Sequence, residues 1–130
     1  MKKRIRLEEI CFARSGDKGD TCSIGLMAKT ENAYQTLLEE VTAEKIKHHF
    51  GNMVKGGVEL YPMPKVHCLH VVLRQALGGG ATKTLRYDQT GKAMGQALLR
   101  MEVEVEAPVL TEARAATEKI FEKYGRAWDA

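Results

Sequence analysis

Apolar residues along this chain either alternate with polar ones or recur at helical spacing, and the changes of period mark out the elements. Ile5 and Leu7 alternate with Arg4 and Arg6, and after Glu8-Glu9 the alternation resumes, out of phase, with Ile10 and Phe12. The phase change predicts a bulge within a first strand over about residues 4–13. Cys22, Ile24 and Leu26 alternate with Ser23, Gly25 and Met27 as a second strand, in which Gly25 marks a close approach of backbone or ligand. Tyr34, Leu37, Leu38 and Val41 then fall on one helical stripe behind an N-cap at Thr30, with Glu31 at the positive end. Thr42 reads as a second N-cap, Ile46 and Phe50 continue the stripe, His48-His49 sit in the last turn and Gly51 ends it. This is one kinked helix or two consecutive ones.

The second half is less regular. Val58 to Tyr61 is a short strand stopped by Pro62 and Pro64, and Val66 to Leu73 is the most β-branched apolar run, hence the expected central strand. Gly78-Gly79-Gly80 forbids regular structure, Leu85 and Tyr87 alternate briefly, and Asp88 to Gly91 is a turn signal. Residues 92–100 read as a ragged helix weakened by Gly95. Met101, Val103 and Val105 alternate with three glutamates as a half-buried strand closed by Pro108. Thr111 is placed to cap a final helix with a stripe of Ala113, Ala116, Ile120, Phe121 and Tyr124, stopped by Gly125. With the first strand and last helix set aside, the order reads βαββαβ. That is the ferredoxin-like split-βαβ plan, an α+β fold with an antiparallel sheet and helices on one face, here with an extra N-terminal strand and C-terminal helix.

Composition narrows the function classes. The 130 residues fit one domain. Lys and Arg total 20 against 17 Asp and Glu, interleaved rather than segregated, which argues against nucleic acid as a partner. No apolar run is long enough to span a bilayer, so no membrane partner is expected. Three cysteines, Cys11, Cys22 and Cys68, form no CxxC, and their odd number fits a reducing, cytoplasmic setting.

The densest chemistry lies in Ala13-Arg14-Ser15-Gly16-Asp17-Lys18-Gly19-Asp20, read as a charged loop between two strands. Gly16 and Gly19 can turn backbone N–H groups towards a concave surface, while Arg14 and Lys18 supply charge for a carboxylate or phosphate. Alternatively, it is a polar hairpin whose charges pair with one another. Gly78 to Thr84 reads GGGATKT; Thr82 stands where a nucleotide P-loop needs glycine, which leaves a generic anion loop (Gly78, Gly79, Gly80, Thr82, Lys83) or a connector. His67 and His70 bracket Cys68, but on a strand only Cys68 and His70 share a face, so no metal is expected. Nor does any motif require a cofactor. Cys22, near Arg14 and Lys18, is the one candidate thiol nucleophile, and burial in the core is its alternative reading.

Phe12 to Asp20, with Ile24-Gly25 just after, resembles the motif that opens the C-terminal ferredoxin-like domain of the acyclic terpene utilisation (AtuA) family. The resemblance runs from about residue 7 to 106, through Val41 to Glu44, His49-Phe50, Ala76 to Gly80, Leu85 to Asp88, Gly91-Lys92 and Leu98-Leu99. Asp20 and Ser23 stand where the family favours Asn, so ligand contacts through those amides are not carried over; Thr84 supplies the hydroxyl before Leu85-Arg86. The resemblance implies a ferredoxin-like fold and a place in catabolism of acyclic terpenes and branched acids through acyl-CoA intermediates. It also implies a small module that works with a separate large AtuA-like chain as an accessory subunit. Arg14, Ser15, Gly16, Asp17, Lys18, Gly19 and Asp20, with the glycine loop, would then complete a site for a small anionic ligand. A self-sufficient enzyme, with Asp17 or Lys18 as general acid/base and Arg14 as carboxylate clamp, is the other reading. A homo-oligomer fits either.

Overall fold

The phase change between Leu7 and Ile10 is where the chain leaves one sheet for another. In the computed structural model, which describes residues 2–76 and 94–124 except for the side chains of Asp17, Lys18 and Tyr124, strand β1 is Lys2–Arg6. A 3-10 turn at Leu7–Glu9 follows, and β2 is Cys11–Lys18. The N–H groups of Leu7 and Glu8 donate to the carbonyls of Met101 and Leu99, at 2.9 and 3.0 Å, which anchors the crossing. The expected single bulged strand is therefore two strands in different sheets, separated by a 3-10 turn that buries Leu7 and leads into buried Ile10. Cys11 is the buried residue at the start of β2 and Phe12 the exposed one, opposite to the expected phase.

Strand β3 is Thr21–Ala28 and buries Cys22, Ile24 and Leu26, as the alternation requires. Helices α1, Glu31–Glu40, and α2, Ala43–Phe50, are separate; Thr30 Oγ1 accepts from Ala33 N and Thr42 Oγ1 from Lys45 N, so both threonines cap. Strands β4, Val58–Met63, and β5, Cys68–Leu73, follow, with Val66 in a 3-10 turn rather than the strand. After the undescribed stretch come α3, Met94–Leu98, β6, Glu102–Glu106, and α4, Ala107–Tyr124. Helix α4 begins five residues earlier than expected. Pro108 stands in its first turn, where a missing N–H costs nothing, and Thr111 Oγ1 donates to Ala107 O instead of capping.

The main sheet has the order β2-β3-β5-β4, every pair antiparallel, and β1 and β6 form a second, two-stranded sheet. The plan is the expected α+β one, and β5 is internal as expected. What differs is the strand beside β3: β2 occupies that edge, and β6 pairs with β1. Cys22, Ile24 and Leu26 of β3 and Leu69, Val71 and Leu73 of β5 share one face with the buried residues of α1, α2 and α3. The other face has no described element over it.

Gly95 explains itself in α3. A Cβ built there would lie 2.9 Å from Ser15 Oγ and 3.2 Å from Ser15 Cβ, so only glycine lets this helix approach β2. Ser15 Oγ in turn accepts from Gly95 N at 3.0 Å.

Candidate functional site: the uncovered sheet face and its hairpin

Strands β2 and β3 pair from Cys11–Ala28 to Lys18–Thr21, leaving Gly19 and Asp20 as a two-residue turn. Gly19 has φ +62°, the left-handed value such a turn requires. The charged stretch from Arg14 to Lys18 is thus strand, not loop. Gly16 lies in extended backbone within it, and only Gly19 uses a positive φ. A strand separates Arg14 and Lys18 by about 14 Å between α-carbons, and alternation sends Arg14 and Ser15 to opposite faces. Arg14 is exposed on the open face, whereas Ser15 holds α3. The described ion pairs are Lys45–Glu40, Arg74–Glu59 and Arg114–Glu9, and Arg14 belongs to none of them.

Register sets the open face as a grid. Arg14 pairs with Gly25, Gly25 with His70 and His70 with Tyr61, giving one row across all four strands. Phe12, Met27, Cys68 and Met63 form the row on one side, and Gly16, Ser23, Val72 and Glu59 the row on the other. Phe12, Met27, Tyr61 and Met63 are 41, 42, 49 and 47 % exposed, a concentration of large apolar side chains that a solvated face does not need. Gly25 leaves a hollow at the centre; a Cβ there would touch only Cys68 Sγ at 3.8 Å and Arg14 O at 3.9 Å.

Polar groups surround that hollow. Ser23 Oγ lies 2.8 Å from His70 Nε2, and the His70 and Tyr61 rings are 6.5 Å apart. Arg74 Nε donates to Glu59 Oε2 at 2.7 Å, and Tyr61 OH donates to Glu59 Oε1. These two hydrogen bonds, Arg74's first, hold the Glu59 carboxyl down to about 2, and the same carboxylate pushes the Tyr61 phenol up. Lys29 Nζ sits 4.9 Å from the centre of the Phe12 ring at the rim. Sequence reasoning singled out Arg14, Gly16, Gly25 and the Cys68–His70 face separately but missed the grid that joins them, because its signal is register between strands distant in the chain.

The thiols divide by face. Cys22 is core, so the nucleophile reading of it falls. Cys11 is also buried, its Sγ donating to Leu7 O at 3.3 Å, and burial pushes its thiol up to about 12 against the partial pull of Lys29. Cys68, half-buried on the open face, is raised by desolvation as well. A thiol reagent near pH 8 is expected to label Cys68 alone, with Cys11 and Cys22 reacting only after denaturation, as peptide mass spectrometry would read. Because Cys11 is raised in the fold, its neutral form is a stabilising asset that is whole below about pH 9 and lost as pH climbs towards 12. Denaturation midpoints should therefore fall above pH 9, less steeply in Cys11→Ala.

Of the sequence-predicted residues, Arg14 to Asp20 lie together on the hairpin. Gly78, Gly79, Gly80, Thr82 and Lys83 lie outside the described residues. The described chain stops at Ala76, whose N–H donates to Asp20 O at 2.9 Å, and resumes at Met94, next to the Gly95–Ser15 contact. A separate cleft of about 680 Å³ beside α2 and β6 is lined by Arg4, Glu40, His48 and Glu104 among others, and by none of the predicted site residues. Among the described residues no three metal-binding side chains converge, and no helix is long and apolar enough to cross a membrane.

An antiparallel sheet backed by helices, with no described element over its other face, is the form of a ferredoxin-like domain. The family model of the AtuA ferredoxin-like domain matches residues 5–104, and the chain belongs to that family. No curated protein and no solved structure matches it.

Proposed function

We propose that this domain is the accessory module of an AtuA-type system, completing an anionic-ligand site with a separate large AtuA-like chain in the catabolism of acyclic terpenes or branched acids. The ligand is a carboxylate or an acyl-CoA, and the setting is the cytoplasm. The observation that carries the reading is Arg14: exposed, outside every described ion pair, on the same hairpin as Lys18 and the Gly19 turn. Cations spread along a strand suit a long ligand with separated anionic groups better than a single small ion. The glycine-rich segment Gly78, Gly79, Gly80, Thr82 and Lys83 is part of the same proposal on its sequence alone. Ser15 is then a positioning residue for α3 rather than a ligand contact.

Titration of an acyl-CoA and of a branched carboxylate into the domain mixed with a large AtuA-like chain tests this. Arg14→Ala and Lys18→Ala should each weaken binding about tenfold or more, roughly 1.4 kcal/mol, with the melting temperature unchanged. Lowered melting with no effect on binding would make the charges structural instead.

A self-sufficient enzyme is the second reading, favoured by the Ser23–His70 contact, whose 2.8 Å is the separation a hydroxyl nucleophile and its base require. Acyl-CoA turnover by the domain alone, lost in Ser23→Ala, would select it.

A further inference from the structure

We propose that the uncovered sheet face is the contact surface for a second copy of this chain, with the two sheets packed face to face about a two-fold axis. The axis runs along the strand direction, midway between β3 and β5. Such an axis keeps the rows of the grid and exchanges its columns, laying β2 of one copy over β4 of the other and β3 over β5.

The exchange matches the face to itself, residue by residue. Arg14 of one copy comes to lie over Tyr61 of the other, whose hydroxyl is bonded to Glu59, so a cation meets an aromatic ring and a carboxylate. The hollow at Gly25 lies opposite the ring of His70, a protrusion facing the position without a side chain. Phe12 faces Met63, an aromatic against a thioether, and Met27 faces Cys68. Gly16 faces Glu59, and Ser23 faces Val72. An axis across the strands would instead set the apolar row against the row holding Glu59 and Ser23. The four exposed large apolar residues are thereby all covered, and no like charges in the grid oppose each other.

The face is large enough for a weak dimer. Four strands about 4.8 Å apart and three rows about 6.8 Å apart give a flat footprint of roughly 400 Å² per copy. Two copies thus bury roughly 800 Å² as flat area and more with side-chain relief, the size of a weak, transient contact rather than a permanent one.

The test is sedimentation velocity of the wild-type protein from about 1 to 500 µM, with Gly25→Val and Met27→Glu beside it. A Cβ at Gly25 makes only ordinary van der Waals contacts, so Val projects into the hollow on the open face; both variants leave Arg14 in place, so the result does not depend on the ligand reading. The wild type is expected to pass from monomer to dimer with a dissociation constant of roughly 10–100 µM. Both variants should weaken the dimer at least tenfold while their melting temperatures, measured where all are monomeric, stay within about 2 °C of wild type or above it. A wild type that remains monomeric at the highest concentration overturns the proposal. So does a dimer that both variants leave unchanged, which would place the contact on a sheet edge or on α4.

Discussion

Gly56→Ala is expected to destabilise the fold by about 2–3 kcal/mol, a large share of the margin by which a domain of this size is folded. A Cβ at Gly56 would lie 2.6 Å from Arg74 Cβ and 2.8 Å from the Arg74 carbonyl carbon and oxygen. Backbone cannot move aside here. Gly56 N donates to Arg74 O at 3.0 Å, Arg74 N returns a bond to Gly57 O at 2.9 Å, and Lys55 N reaches Gln75 O at 3.0 Å, which extends the β4–β5 ladder past its last strand pair. Lys47 Nζ also holds Gly56 O at 2.8 Å. Relief of the clash must break one of these bonds or shift Arg74 away from Glu59. At about 4 °C per kcal/mol for a chain of this length, the melting temperature should drop by about 8–12 °C. Gly57→Ala is the control, since nothing lies within 4 Å of its Cβ. Equal melting of the two variants would mean that the close approach at Gly56 is absent.

Leu26→Ala should cost still more, about 3–4 kcal/mol, through lost transfer energy and the cavity left behind. Leu26 is fully buried on the inner strand β3, between β2 and β5, in the cluster with Ile24, Leu69 and Val71. Its chain neighbour Met27 points the other way and is 42 % exposed. Met27→Ala measured on monomer should therefore change stability by less than about 1 kcal/mol. Urea denaturation of the pair reads the one-sidedness of the sheet directly, and comparable losses in both would contradict it.

Much of this was legible because it is local. Period-two alternation located β3 and β6, and the threonine caps located α1 and α2, since both signals lie within one or two turns of chain. The ferredoxin-like class followed from element order and from the Phe12–Asp20 motif. Three features escaped because their causes lie elsewhere in the fold. The phase change at Leu7–Ile10 is the same in a bulge and in a sheet crossing, and the choice is made by the carbonyls of Leu99 and Met101. The charged stretch looked like a loop because its residues are polar, yet β3 offers it a full register of partners. Gly95 looked like a flaw in a helix until Ser15 was placed against it. The candidate site is legible only in part: Arg14 stands out in the sequence as a candidate for an anionic ligand, while its row-mates His70 and Tyr61 are brought to it only by strand pairing.

The accessory-module reading is tested most directly by recovering the tagged protein from its native cell extract at low and high salt and identifying what accompanies it by mass spectrometry. The expected result is a large AtuA-like chain, retained at low salt and reduced at high salt if charges such as Arg14 contribute to the contact. Recovery of the domain alone, or only with further copies of itself, in repeated trials would contradict the account and turn attention to the chain as an enzyme in its own right.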